Sequence, residues 1–330
     1  MTLAVDHPAA RFSGPATLER PVRRIVSLLP SATEIVCALG LADRLVGVTH
    51  ECDFPPDAIE GLPRLTADRL PENDRTSSAA IDSAVRAALA DGHGLYSLDD
   101  GRLRDLGPDL ILTQELCRVC AVSYGTVLSA ARATGGGDAP LILSLEPTSL
   151  ASVLETIGLV SELCGVAERG SALVASLQRR LAAIQSMPRR PQVAVVEWLD
   201  PLFAPGHWVP DQVAAAGGDA VFGAPGERSP EATWETLAAT RPDVVVLGLC
   251  GFDLPRTLDE WAAFEAPAPL RRTPAWADAQ LWAIDGSAYV SRPGPRLVDG
   301  VEILAGILRG ASDTRAVRLR ASVSSRRRPT

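Results

Sequence analysis

The chain repeats one grammar: a short run of consecutive apolar residues, then a longer stretch with helical periodicity. Four such runs, at Arg24–Leu28, Leu45–Thr49, Leu110–Thr113 and Leu141–Leu145, precede a long helical pattern from Ser149 to Met187. Three more, at Val193–Glu197, Val244–Leu247 and Leu281–Ile284, follow it. Strands that are apolar on successive residues are buried on both faces, which in a chain alternating strand and helix means parallel strands covered by helices. The pattern predicts an α/β fold of two doubly wound lobes with parallel sheets, joined by a single long helix. A chain of 330 residues suffices for two such cores. The expected divisions are a flexible N-terminal segment over 1–22, a first lobe over 23–148, the connecting helix over 149–187, a second lobe over 188–309 and a disordered arginine-rich tail over 310–330. The connecting helix carries Leu150, Val153, Leu154, Ile157, Val160, Leu173, Leu177, Leu181 and Ile184 on its apolar face, with an interruption only near Gly165. The polar, proline-bearing stretch 61–100 departs from the grammar and is expected to cover a lobe surface, with a helix around Ala79–Leu89.

Charge and residue usage remove several classes of function. The formal net charge is −8, and six arginines against one aspartate lie from Gly310 onward, so the rest of the chain is more acidic than the total. Such a body does not neutralise phosphates, and nucleic acid is not an expected partner. All 32 basic residues are arginine. Schiff-base lysines and the lysine-bearing phosphate loop are therefore excluded. No run is apolar and long enough for a transmembrane helix, and Met1–Arg24 holds no apolar core of an export signal, so a cytoplasmic monomer is expected. Six cysteines in a large chain of that kind read as free thiols or ligands rather than a disulfide framework.

Ligands of doubly wound sheets bind beyond the carboxyl ends of the strands, so the residues just after each strand are the candidates. The first strand leads into Pro30 and Ser31, the second into His50, Glu51 and Cys52, and the third into Gln114, Cys117 and Cys120. The Cys117-x-x-Cys120 spacing lets two thiolates meet one metal, and Cys52 and His50 complete a candidate zinc, iron or iron–sulfur site. Buried thiols, a redox pair and direct contact of these groups with a bound ligand are the competing readings. In the second lobe, Trp198, Phe203, His207 and Trp208 follow the first strand, and the rings offer a wall for a flat apolar ligand. Core packing is the competing role for each ring. Tyr289 and Arg292 follow the last strand, where Arg292 suits a carboxylate or phosphate. There is no Gly-x-Ser-x-Gly elbow, no His-Glu-x-x-His and no Gly-x-Gly-x-x-Gly turn, so no catalytic residue is assigned and an enzyme is not expected.

The segments Arg24-Ile-Val-Ser-Leu-Leu-Pro-Ser-Ala-Thr-Glu34, Leu45-Val-Gly-Val-Thr49 and Gly107-Pro-Asp-Leu-Ile111 resemble the first lobe of the class III, helical-backbone solute-binding proteins of ABC importers. Gly217-Gly-Asp-Ala-Val-Phe222 and Arg241-Pro-Asp-Val-Val245 extend the resemblance through the second lobe. Within that family the strand-end motifs are most similar to the cobalamin-binding branch. The resemblance implies a corrinoid, such as cobalamin, held in a cleft between two lobes, with ferric siderophores or haem as the alternative ligands. It also implies an importer permease as partner, docked through a surface glutamate on each lobe. Glu235 matches the second-lobe position, whereas the first-lobe position falls at Gly101, beside Asp99 and Asp100. That departure favours a carrier or sensor over an importer subunit.

Overall fold

The computed structural model describes residues 7–14, 21–71, 75–90, 94–115, 124–132 and 139–319. The chain divides into two compact units, the first comprising 1–76, 80–180 and 292–295, the second 77–79, 181–291 and 296–330.

Twelve strands are present among the described residues: β1 Ala10–Ser13, β2 Ile25–Ser27, β3 Leu45–Val48, β4 Thr66–Asp68, β5 Tyr96–Leu98, β6 Leu110–Thr113, β7 Leu141–Leu145, β8 Gln192–Val196, β9 Asp219–Ala220, β10 Val244–Leu247, β11 Leu281–Ile284 and β12 Ala316–Arg318. The first unit holds a five-stranded sheet in the order β1-β7-β6-β2-β3, parallel except for β1, which runs antiparallel to β7. The second unit repeats this plan as β12-β11-β10-β8-β9, parallel except for β12 against β11. In both sheets the central strands are buried, β8 leaving only its first residue, Gln192, exposed, because helices cover both faces of a parallel sheet.

Both ends of the chain differ from expectation. Ala10–Ser13 lies in the segment expected to be flexible, yet it pairs with β7 in the register Ala10↔Leu145 to Ser13↔Ile142. Ala316–Arg318 lies in the tail expected to be disordered, yet it pairs with β11, with the Arg318 guanidinium 4.8 Å from the Trp282 ring centroid. Each is a short edge strand paired along one side only. Its stability comes from the backbone ladder of its neighbour and not from its own apolar content. Residues 320–330 fall outside the described set.

The expected single connecting helix is two. Leu150–Leu163 starts with a Ser149–Ser152 capping box and stops at Cys164, and Ala167–Ala182 follows. Gly165 adopts φ +71°, Val166 N–H donates to Ser161 O (2.8 Å) and Gly165 N–H donates to Glu162 O (3.1 Å). This is a Schellman stop, which only a residue free to take a left-handed conformation closes cheaply. The break falls at the interruption read near Gly165, and the apolar face continues on both sides of it. The divergent stretch 61–100 contains the two-stranded β4–β5 sheet and the helix Ser78–Ala90.

Candidate ligand-binding site

In the first sheet the chain lays down β2 and β3 on one side, then returns to place β6 and β7 on the other, so the order reverses between β2 and β6. The second sheet reverses in the same way between β8 and β10. Right-handed crossovers on opposite faces leave a ligand-sized opening beyond the carboxyl ends of the strands at such a point.

At the first reversal, β2 passes through Leu28 and Leu29 into the helix Pro30–Ala38, with Pro30 at its first position and Ser31 buried. The turn is held by side chains: Ser27 Oγ donates to Leu29 O (3.0 Å), and Thr33 Oγ1 donates to Ser27 Oγ (2.9 Å) and lies 3.0 Å from Cys52 Sγ. On β6, Thr113 is fully buried, with no hydrogen-bond partner for its hydroxyl among the described residues, and Gln114 is buried beside it. His50 follows β3. Its backbone N–H donates to Thr66 Oγ1 (3.0 Å), its Nδ1 is 2.7 Å from the same oxygen, and Thr66 Oγ1 is 2.7 Å from Thr49 Oγ1. The Tyr96 ring, from β5, lies 5.4 Å from the imidazole. Burial pushes the His50 pKa below its ordinary value, with Glu51 and Asp68 pulling it back up and Arg75 and Arg64 lowering it further.

Arg292 and its three following residues cluster with this unit. Its guanidinium grips both oxygens of Asp53, lies 3.7 Å from the buried Glu34 carboxylate and donates to Glu51 O (3.2 Å). The expectation of an arginine waiting for a ligand carboxylate is corrected: protein carboxylates already occupy it.

In the second unit, Trp198 and Phe203 close a tight antiparallel bridge after β8, with Phe203 N–H donating to Trp198 O (3.1 Å). Both rings are half-buried. Trp198 stands edge-on to Phe252 at 5.1 Å, and its Nε1 donates to the carbonyl of Ser78, one of the residues that cluster with this unit. Arg256 covers the other part of Phe252 at 4.2 Å. Trp208 is different. It is 5 % exposed and donates Nε1–H to Val290 O at 2.7 Å, so its ring is core and not a ligand wall. His207 holds φ +49°, and burial with the nearby Arg228 lowers its pKa. Tyr289 is half-buried with Arg315 6.0 Å from its ring, and its carbonyl accepts from Gln212 Nε2 (3.0 Å).

The metal-site reading finds no support. Cys117 and Cys120 lie outside the described residues, and among the described residues no group of three or more histidines, cysteines and carboxylates is placed to hold a metal. Burial pushes the Cys52 thiol up to about 11, which keeps it protonated and a poor ligand at neutral pH. Residues that sequence reasoning passed over are Thr66, Tyr96, Thr113 and Phe252. Thr113 and Phe252 sit at or just after strand ends and were open to the same rule. Thr66 and Tyr96 arrive from the β4–β5 sheet, which carries no apolar signature.

The model of the periplasmic binding protein family matches residues 25–280. This chain belongs to the periplasmic binding protein family. It is a family of substrate-binding proteins, in keeping with the missing enzyme motifs. The vitamin B12-binding protein of Vibrio cholerae is 24 % identical over 308 residues, covering 88 % of this chain and 91 % of that protein. The cobalamin-binding protein of Halobacterium salinarum is 25 % identical over 297 residues, covering 88 % and 70 %. The solved periplasmic vitamin B12 binding protein of Vibrio cholerae shares the fold, with a TM-score of 0.59, 22 % identity and coverage of 88 % of this chain and 97 % of that one. The expected cytoplasmic location is overturned by this membership, since the family is periplasmic; the expectation rested on the first residues of the chain, which do not weigh against a match over 25–280. Among the described residues no helix is long and apolar enough to cross a membrane.

Proposed function

We propose that the protein binds a corrinoid at the carboxyl edges of its sheets and hands it to an ABC importer permease. The observation that carries the reading is the similarity, along 88 % of the chain, to two proteins named for binding vitamin B12 and cobalamin. The chemistry of the strand ends supports it. In the second unit Trp198, Phe203 and Phe252 offer apolar ring area suited to a macrocycle, and in the first unit His50, Glu51, Thr113 and Gln114 offer hydrogen-bonding groups suited to a polar periphery. Pro30, Ser31, Cys52, His207 and Tyr289 complete the proposed lining, and Cys52 acts through its contact with Thr33 rather than as a ligand. Glu235, exposed in the first turn of the helix Trp234–Ala239, is the proposed docking carboxylate for the permease.

Titration of the purified protein with hydroxocobalamin, cobinamide and haem, read by heat and by the visible spectrum, tests the ligand. Saturable corrinoid binding at micromolar or lower concentration is expected, roughly −8 kcal/mol or better. Haem binding without corrinoid binding would replace the reading with that of a haem carrier, since the same rings accept either macrocycle.

A further inference from the structure

The feature that the proposed binding role leaves unexplained is the geometry around His50. A metal-directed imidazole is normally oriented by a hydrogen bond to its other nitrogen. Here Nδ1 lies 2.7 Å from Thr66 Oγ1, the same oxygen accepts the His50 backbone N–H at 3.0 Å, and it stands 2.7 Å from Thr49 Oγ1. Two tautomers satisfy these contacts, and metal coordination selects the one in which Nδ1–H donates to Thr66 and the Thr66 hydroxyl donates to Thr49, so that the Thr66 oxygen accepts two hydrogen bonds and gives one. In that tautomer the lone pair is on Nε2. Glu51 Oε1 lies 3.8 Å from Nε2, beyond hydrogen-bond reach. The side chain is 26 % exposed, and Nδ1 is engaged with Thr66.

We infer that Nε2 of His50 coordinates the cobalt of the bound corrinoid, a role that rests on the corrinoid reading above. Imidazole is a fitting ligand for a first-row transition metal of intermediate softness. The step is a ligand exchange. The bond from cobalt(III) to an axial water breaks, the water leaves with both its protons, and the Nε2 lone pair forms the Co–N bond. Cobalt keeps its oxidation state and no proton is transferred. Cys52, the neighbouring soft donor, does not compete: its thiol is buried and engaged with the Thr33 hydroxyl at 3.0 Å. Coordination makes His50 a selectivity device, favouring corrinoids with an exchangeable axial position over those whose axial positions are blocked.

The test compares diaquocobinamide, with both axial positions exchangeable, with dicyanocobinamide, with both blocked by cyanide. The intact protein is expected to shift the visible spectrum of the diaquo form saturably and to leave that of the dicyano form unchanged. In His50→Ala the shift disappears, and the ratio of affinities for diaquo over dicyano forms falls about 10-fold or more, the scale on which metal sites lose affinity when an organising group is removed. Thr66→Val keeps the shift but weakens diaquo binding, since only the orientation of the ring is lost. Intact protein that binds diaquocobinamide with no spectral change, or an unaltered shift in His50→Ala or His50→Gln, overturns the coordination and leaves the corrinoid reading standing. Failure to bind either cobinamide or hydroxocobalamin overturns both.

Discussion

The carboxyl edges of the two sheets are built by different means. In the first unit they are locked by side-chain hydroxyls: Thr33 ties the β2 turn to Ser27 and Cys52, and Thr66 ties the β3 end through Thr49 and His50. Ser27, Thr33, Thr49 and Thr66 are all buried to do this. In the second unit the edges are locked by rings and by backbone pressed on backbone. Trp208 fills the core and caps Val290 O, and Gly286 lies so close to the loop after β10 that a Cβ there would sit 2.1 Å from the Leu249 carbonyl oxygen. A hydroxyl network is directional but can relax through rotamers, whereas a backbone contact has no rotamer to adjust. The first edge is therefore suited to polar recognition and the second to presenting rigid apolar area.

The contrast can be broken most decisively at Trp208. Trp208→Ala should cost about 3–5 kcal/mol of stability in urea unfolding, the cost of emptying a large buried ring site, with corrinoid affinity little changed in the folded fraction. Lost affinity with intact stability would return the ring to the binding face. Gly286→Ala comes next, at about 3 kcal/mol, because the atoms it meets are backbone. The matched control is Gly158→Ala, inside the helix Leu150–Leu163 with nothing within 4 Å of the added carbon, which should gain up to about 1 kcal/mol. If the two glycine substitutions behave alike, close packing is not what locks the second edge. Thr33→Val should cost about 1–2 kcal/mol, the scale of leaving buried hydrogen-bond partners unmet. A cost as large as that of Gly286→Ala would show that the hydroxyl network has no slack either.

The smallest effect is on acidification. His50, facing Glu51, Asp68, Arg64 and Arg75, and His207, facing Arg228, both have folded-state pKa values below the unfolded value near 6.5. The folded protein then binds fewer protons than the unfolded chain as pH falls below about 6.5. Stability should accordingly be full above that pH and decline beneath it. Urea midpoints at pH 7 and 5 in the intact protein and in His207→Asn would measure the share of the second unit. A midpoint difference that is the same in both proteins would assign the decline elsewhere.

Much of this architecture was legible in residues. The runs at Val26, Ile111, Leu143, Val195, Val245 and Ala283 are central strands because each is apolar on successive positions, and that pattern survives any arrangement of the rest. The strand-end rule also led to His50, Gln114, Trp198 and Phe203 without a structure. The individual roles were not legible. Trp198 and Trp208 are ten residues apart and chemically identical, yet only packing makes one half-exposed and the other core. Arg292 reads as a free cation until Asp53 and Glu34 are seen beside it, and these partners are remote in sequence.

Local composition by itself determined that the chain folds as strand and helix in two blocks with a helical stretch between, because burial on both faces is written into each strand. It also determined the absence of lysine chemistry. Only the tertiary structure decided that both ends of the chain add antiparallel edge strands and that Thr66 comes from a separate small sheet to hold His50. Those outcomes depend on hydrogen bonds between residues far apart in sequence, and a periodicity carries no information about a partner it does not contain.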